Sequence, residues 1–185
     1  VIEEKVNPWE TPEGRVVWKS KSQYFNWVRG GLRKLWVDYP VRKVWKGEQL
    51  RKVTPEERQA KIFHPSTKNV GQCVMCTQWM AGSKLECDHI DPSGGCKDWD
   101  ELEGFLHYCT ATVPEDWQLV CVPCHKIVTY AERQNIPFEE AVATKKAIAI
   151  EKEKKVLQWF EAKGIVAESN AKARRIQMVK YFMEE

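Results

Sequence analysis

Two stretches decide the fold of this chain: Leu85-Glu86-Cys87-Asp88-His89-Ile90, and Trp117-Gln118-Leu119-Val120-Cys121-Val122-Pro123-Cys124-His125. The first reads as a short strand, and Asp91-Pro92-Ser93-Gly94-Gly95 directly after it cannot continue one. The second begins with an apolar run, Trp117 to Cys121, that reads as a returning strand. Pro123 then stands where a first helical turn would begin, and Cys124 to Glu132 reads as a helix. The local order is strand, long loop, strand, helix. Asp88 and His89 fall at the end of the first strand, and His125 falls on the first turn of the helix.

Cysteine pairs bracket this unit. Cys73-Val74-Met75-Cys76 and Cys121-Val122-Pro123-Cys124 lie about 45 residues apart, a spacing that suits tetrahedral Zn2+. Each short turn presents two thiolates to one ion, and the intervening chain has only to return. Unrelated buried thiols or two disulfides are the alternatives to a structural zinc.

At these residues the chain resembles the HNH nucleases, the ββα-metal finger family, and within it the HNH proteins of tailed bacteriophages. The motif is Asp88-His89-Ile90, a glycine-containing loop, then Gln118-Leu119-Val120-Cys121-Val122-Pro123-Cys124-His125 with Thr129 four residues beyond the histidine. The match spans Cys73 to Arg133, and Ser20 to Trp36 is similar to an upstream segment of some phage members. The resemblance implies a metal-dependent endonuclease acting on double-stranded DNA. His89 would be the general base that takes a proton from the attacking water, and Asp88 and His125 would hold one catalytic Mg2+ or Mn2+. A carboxylate with an imidazole suits a divalent ion that keeps open positions and stabilises charge on a phosphate, and histidine is a competent base near neutral pH. Asp116 takes the place of the usual middle Asn in the catalytic triplet; a carboxylate accepts hydrogen bonds where an amide also donates. Val128 stands where phage relatives often carry Lys. These departures motivate the alternative, a zinc-stabilised DNA-binding or phage packaging or assembly protein that keeps the fold without turnover. A second copy of the chain and phage packaging proteins are the protein partners in view. A homing nuclease is a variant of the enzymatic reading.

Composition sets the frame. With 185 residues, 43% hydrophobic and 11% aromatic, the chain has enough apolar side chains for a core. It contains no run of about 18 apolar residues, so no membrane span is expected. Val1-Ile2-Glu3-Glu4-Lys5 lacks the layout of a signal peptide, and seven cysteines, four in metal spacing, favour a reducing compartment. The expected location is the cytoplasm, that of the host if the chain is phage-encoded. The expected fold class is α+β and mostly helical: a small zinc-stapled ββα-metal core at 71–138 with helical extensions at 1–70 and 139–185. Charge follows the same division. Residues 1–70 hold 15 Lys/Arg and 8 Asp/Glu, residues 71–138 hold 4 and 10, and residues 139–185 hold 10 and 8. An acidic centre suits a cation site, and a basic flank suits phosphate.

The flanks read mainly as helices. Val1 to Gly14 is expected to be an arm or loop, and Val16-Val17-Trp18 a short strand or an anchor for it. From Ser22 to Tyr39-Pro40 a helix presents Phe25, Val28, Leu32, Leu35 and Trp36 at helical spacing. A second helix, Val41 to Leu50, turns Val41, Val44 and Trp45 inward and Arg42, Lys43 and Lys46 outward. Arg29, Arg33, Lys34, Arg42, Lys43 and Lys46 are therefore the expected DNA-backbone contacts. Thr54-Pro55-Glu56-Glu57 starts a helix running to about Phe63, and His64 falls in a loop or packing position. A helix from Asp98 or Asp100 to Leu106 covers the ββα unit with Leu102, Phe105 and Leu106. His107 and Cys109 follow as packing residues, with His107 in reserve for the middle-residue role, and Cys87 and Cys96 read as buried thiols. Phe138 to Lys163 reads as one long helix stopped by Gly164, burying Ile148, Val156, Trp159 and Phe160. A last helix starts at Ser169 or Asn170 and carries Ile176, Val179 and Phe182 on one side.

Overall fold

Side-chain caps and prolines start the helices of the first half. The computed structural model describes residues 6–184, so the opening Val1–Lys5 of the expected arm lies outside the described residues. From Pro8 the arm is not a loop: a 3-10 turn, Pro8–Glu10, leads into α1, Pro12–Val17, whose N-cap Thr11 accepts from the Gly14 amide. Val16 and Val17, expected as a short strand or an anchor, end this helix instead, and both valines are exposed. Pro12 and a hydroxyl cap favour a helical turn over the β preference of two valines. Ser20 caps α2, Lys21–Asp38, and Pro40 opens α3, Pro40–Glu48.

After β1, Arg51–Lys52, the expected capping box is present. Thr54 Oγ1 accepts from the Glu57 amide, the Glu57 carboxylate accepts from the Thr54 amide, and α4, Pro55–Gln59, follows. Arg51 adds a bidentate pair to the same carboxylate at 2.7 and 2.9 Å, which holds Glu57 down at about pKa 2. This helix stops short of the expected Phe63. Lys61 takes a left-handed conformation, and the Ile62 amide closes back on the Glu57 carbonyl.

A sheet absent from the sequence reading comes next. β1 pairs antiparallel with β2, Asn69–Gln72, and β2 with β3, Trp79–Ala81. Gly71 sits where this sheet meets the rest of the core, since a Cβ there would lie 2.7 Å from Leu50 Cδ2, 2.8 Å from Leu85 Cδ1 and 3.0 Å from Leu119 Cδ2. β4, Leu85–His89, pairs with β5, Trp117–Cys121, as the two deciding stretches require. Between them α5, Trp99–Thr110, is capped by Asp98.

Helix α5 packs on α2. Phe25, Cys96, Phe105 and Cys109 form a buried cluster, flanked by Tyr24, Val28, Leu32, Trp36, Leu102 and Tyr108. Leu35 and Leu106, expected inward, are exposed. α3 lies against β4 with a different face from the one expected. Val41 and Val44 are exposed, Val44 at 62%, while Trp45 meets Trp117 at 5.7 Å, as Trp36 does at 5.5 Å. Arg42 and Lys46 are half-buried beside it. Their long stems cover apolar surface that short valines cannot reach.

The chain divides into two compact units, Val1–Val120 and Cys121–Glu185, with the division inside β5. The second unit is helical: α6, Val122–Gln134; α7, Phe138–Lys152; α8, Val156–Lys163; and α9, Ala171–Glu184. The long helix expected over Phe138–Lys163 is therefore two, broken at Lys154, which has φ 58°. Ala147, Phe160 and Met178 form the core, packed by Val156, Trp159, Val179 and Phe182. Ile176 is 61% exposed, and Met178 takes the inward place expected of it. The whole is a mostly helical α+β fold with small sheets, the class expected.

Candidate metal centre and an enclosed histidine

Each cysteine pair is formed by its own local structure. Cys73 directly follows β2, its amide donates to the Gln78 carbonyl, and its carbonyl accepts from the Thr77 amide; Thr77, at φ 57°, turns the chain back into β3. Cys121 is the N-cap of α6, and its Sγ accepts from the Cys124 amide at 3.4 Å. A sulfur in that role faces the positive end of the helix, which favours the thiolate that a metal requires. The Sγ atoms of Cys73, Cys76, Cys121 and Cys124 all lie within 4.8 Å of one another. Tetrahedral Zn2+ with Zn–S bonds of about 2.3 Å needs S···S separations of about 3.8 Å, so the set fits one ion after small adjustment. Cys73, Cys121 and Cys124 are buried, and four sulfur ligands leave no open position. The chemistry is that of a structural site.

The expected catalytic residues have different surroundings. Burial alternates along β4, with Leu85, Cys87 and His89 buried and Glu86 and Asp88 half-buried, so Asp88 and His89 face opposite sides of the strand. His89 is 4% exposed. Its ring lies between Tyr108, at 3.7 Å between centroids, and Trp36, at 4.0 Å, and Nε2 is 3.1 Å from Thr112 Oγ1. Loss of solvent pushes its pKa down to about 4, and Arg42 adds to that lowering. Asp88, Asp116 and a hydrogen bond at the Tyr108 carbonyl work the other way. The imidazole is neutral at neutral pH.

Asp116 holds chain rather than ring. Its carboxylate accepts from the Val113 amide at 2.9 Å, closing the 3-10 turn Pro114–Asp116, and its carbonyl accepts from the Ile90 amide at 2.8 Å. His125 stands in the first turn of α6, as expected. His107 is exposed rather than packed. Cys87, Cys96 and Cys109 are buried thiols outside the metal set, all pushed upward by burial, Cys87 to about 11.

The six expected DNA contacts fall into two groups. Arg29 lies over the Phe105 ring at 5.5 Å. Arg42 lies over Trp36 at 4.9 Å and donates to the Val37 carbonyl, and Lys46 donates to the Leu85 carbonyl at 2.6 Å, its pKa lowered first by burial and then by Arg42. These three are half-buried. Lys43 is exposed and pairs with Asp38 at 3.0 Å, and Arg33 and Lys34 are exposed on α2.

Missing from the sequence reading are the residues that surround His89: Trp36, Tyr108 and Thr112. One signal was available, because Phe105, Tyr108, Cys109 and Thr112 follow the i, i+3, i+4, i+7 spacing of one helix face. No family model, no curated protein and no solved structure matches the chain.

Proposed function

We propose that this chain is a metal-dependent endonuclease of the HNH type, built on a zinc-stapled scaffold and acting on double-stranded DNA. The observation that supports it most is the order of elements around the named residues. β4 ends in Asp88-His89, β5 pairs with it, and α6 opens with the second cysteine pair and His125. In this reading Asp88 and His125 hold a Mg2+ or Mn2+, which when bound stabilises charge on the scissile phosphate. His89, neutral at working pH, takes the proton of the attacking water. Asp116 fixes the turn before β5 and the residue after His89, so the loop-holding task of the usual Asn falls to an acceptor.

A second reading is favoured by one observation. A general base has to come within about 3 Å of the proton it takes, and His89 lies between two aromatic rings with 4% exposure. That arrangement suits a DNA-binding or phage packaging protein that keeps the fold without turnover. A plasmid-nicking assay with Mg2+ or Mn2+, comparing wild type with His89→Ala at matched zinc content, separates the two. Nicking by wild type alone supports the nuclease. No nicking by either, with zinc and DNA binding intact, leaves the second reading.

A further inference from the structure

The hydroxyl of Thr112 has three polar neighbours and a single proton. Trp117 Nε1–H donates to it at 2.9 Å. It lies 3.1 Å from His89 Nε2, and it reaches the Tyr108 carbonyl at 3.4 Å, the back-bond to residue i−4 that threonine makes at helix ends. A hydroxyl supplies one donor and two acceptor lone pairs. The indole can only donate, so it occupies one lone pair. The carbonyl can only accept: one lone pair takes the hydroxyl proton, and the other is open to the His89 ring, which also hydrogen-bonds there. One lone pair of the hydroxyl remains, and it faces His89 Nε2, which then has to carry a hydrogen.

From this balance we infer that Thr112 is a positioning residue for His89: it fixes the neutral imidazole as the Nε2–H tautomer and leaves the lone pair on Nδ1. All three hydrogen bonds coexist only in that tautomer. With hydrogen on Nδ1 instead, Nε2 and the Tyr108 carbonyl would compete for the same hydroxyl proton. Asp116 supports the arrangement from outside, since its carboxylate anchors the Val113 amide, one residue beyond Thr112. Trp117 also links the device to the packing of the fold, because its ring meets Trp36, Tyr39 and Trp45. The consequence that Nδ1 accepts the water proton rests on the nuclease reading. The tautomer itself does not.

The test uses the full zinc-loaded chain with 15N-labelled histidine and multiple-bond 1H–15N correlation near neutral pH, with His89→Gln to identify the His89 signals among the four histidines. Wild type is expected to show a single Nε2–H tautomer. Thr112→Val should give a mixture of tautomers and shift the Trp117 indole N–H, and Thr112→Ser should restore both. In the nicking assay Thr112→Val should lower kcat about tenfold or more at unchanged DNA affinity, with recovery in Thr112→Ser. An Nδ1–H tautomer in wild type, or a Thr112→Val spectrum identical to wild type, overturns the assignment. The wild-type and serine spectra decide the matter even if the valine variant does not fold. A chain that shows Nε2–H but never nicks sinks the nuclease reading and leaves the positioning role of Thr112 standing.

Discussion

Cys121 is placed for two jobs with one atom, as one of four sulfurs that could hold a metal ion and as the N-cap of α6. Serine is a good helix cap and a poor zinc ligand, so Cys121→Ser keeps the cap and removes the thiolate. Structural zinc in small domains contributes about 10–16 kcal/mol, comparable with the whole stability of a typical domain at about 5–15 kcal/mol. Cys121→Ser should therefore retain no stoichiometric zinc and lose cooperative thermal unfolding, and chelation of wild type should do the same. A serine variant that melts like wild type without metal would show that the cap, not the metal, holds this region. The cysteines were legible in the sequence because their spacing carries the chemistry. Asp88 and His89 at a strand end were legible for the same reason. The enclosure of His89 was not, because Trp36, Tyr108 and Thr112 come from separate stretches and only the tertiary fold brings them to one ring.

At the scale of elements, helix starts were easier to read than helix ends. Thr54 announces a cap, as do the pairs Asp98 or Asp100 and Ser169 or Asn170, and Thr54, Asp98 and Asn170 supply them. Four helices, α4, α6, α7 and α8, close by a shared pattern in which one residue turns left-handed and the next amide reaches back to the last turn. Gly164 does this with the Ile165 amide on the Phe160 carbonyl, and it was predicted. Lys61, Asn135 and Lys154 do it without glycine, at φ of 53°, 52° and 58°. At Lys154 the bonds run from the Lys154 amide to Glu151 and from the Lys155 amide to Ile150, and the α7–α8 break was missed because lysine gives no signal for it. A left-handed non-glycine residue costs about 1–2 kcal/mol, so Lys154→Gly should raise stability by about 0.5–1 kcal/mol once the greater freedom of the unfolded glycine is discounted. A continuous helix would give the opposite sign, a loss of about 1 kcal/mol. The midpoint of urea unfolding reads the sign directly, and a lower midpoint for Lys154→Gly would restore the single long helix.

The charge of the whole molecule is uneven, and the fold divides its basic flank by task. Six basic residues on α2 and α3 are expected on DNA because they are dense in the sequence, but density does not say which side chains are exposed. Arg29, Arg42 and Lys46 are half-buried and spend their charged ends on the Phe105 ring, the Trp36 ring and the Leu85 carbonyl. Their neutralisation should act first on folding. Arg33 and Lys34, exposed on α2, have the reach for a phosphate. Each phosphate neutralised adds about 0.9 to the slope of log affinity against log salt, so Arg33→Gln with Lys34→Gln should reduce that slope by about 2 and leave the melting temperature within a few degrees of wild type. Arg42→Gln should lower the melting temperature, because the side chain that replaces it cannot cover Trp36 in the same way. Fluorescence anisotropy on duplex DNA over a range of salt, with thermal melts of the same samples, measures both quantities. If the double variant keeps the wild-type salt slope, α2 does not grip the backbone there, and the basic flank is solvated surface.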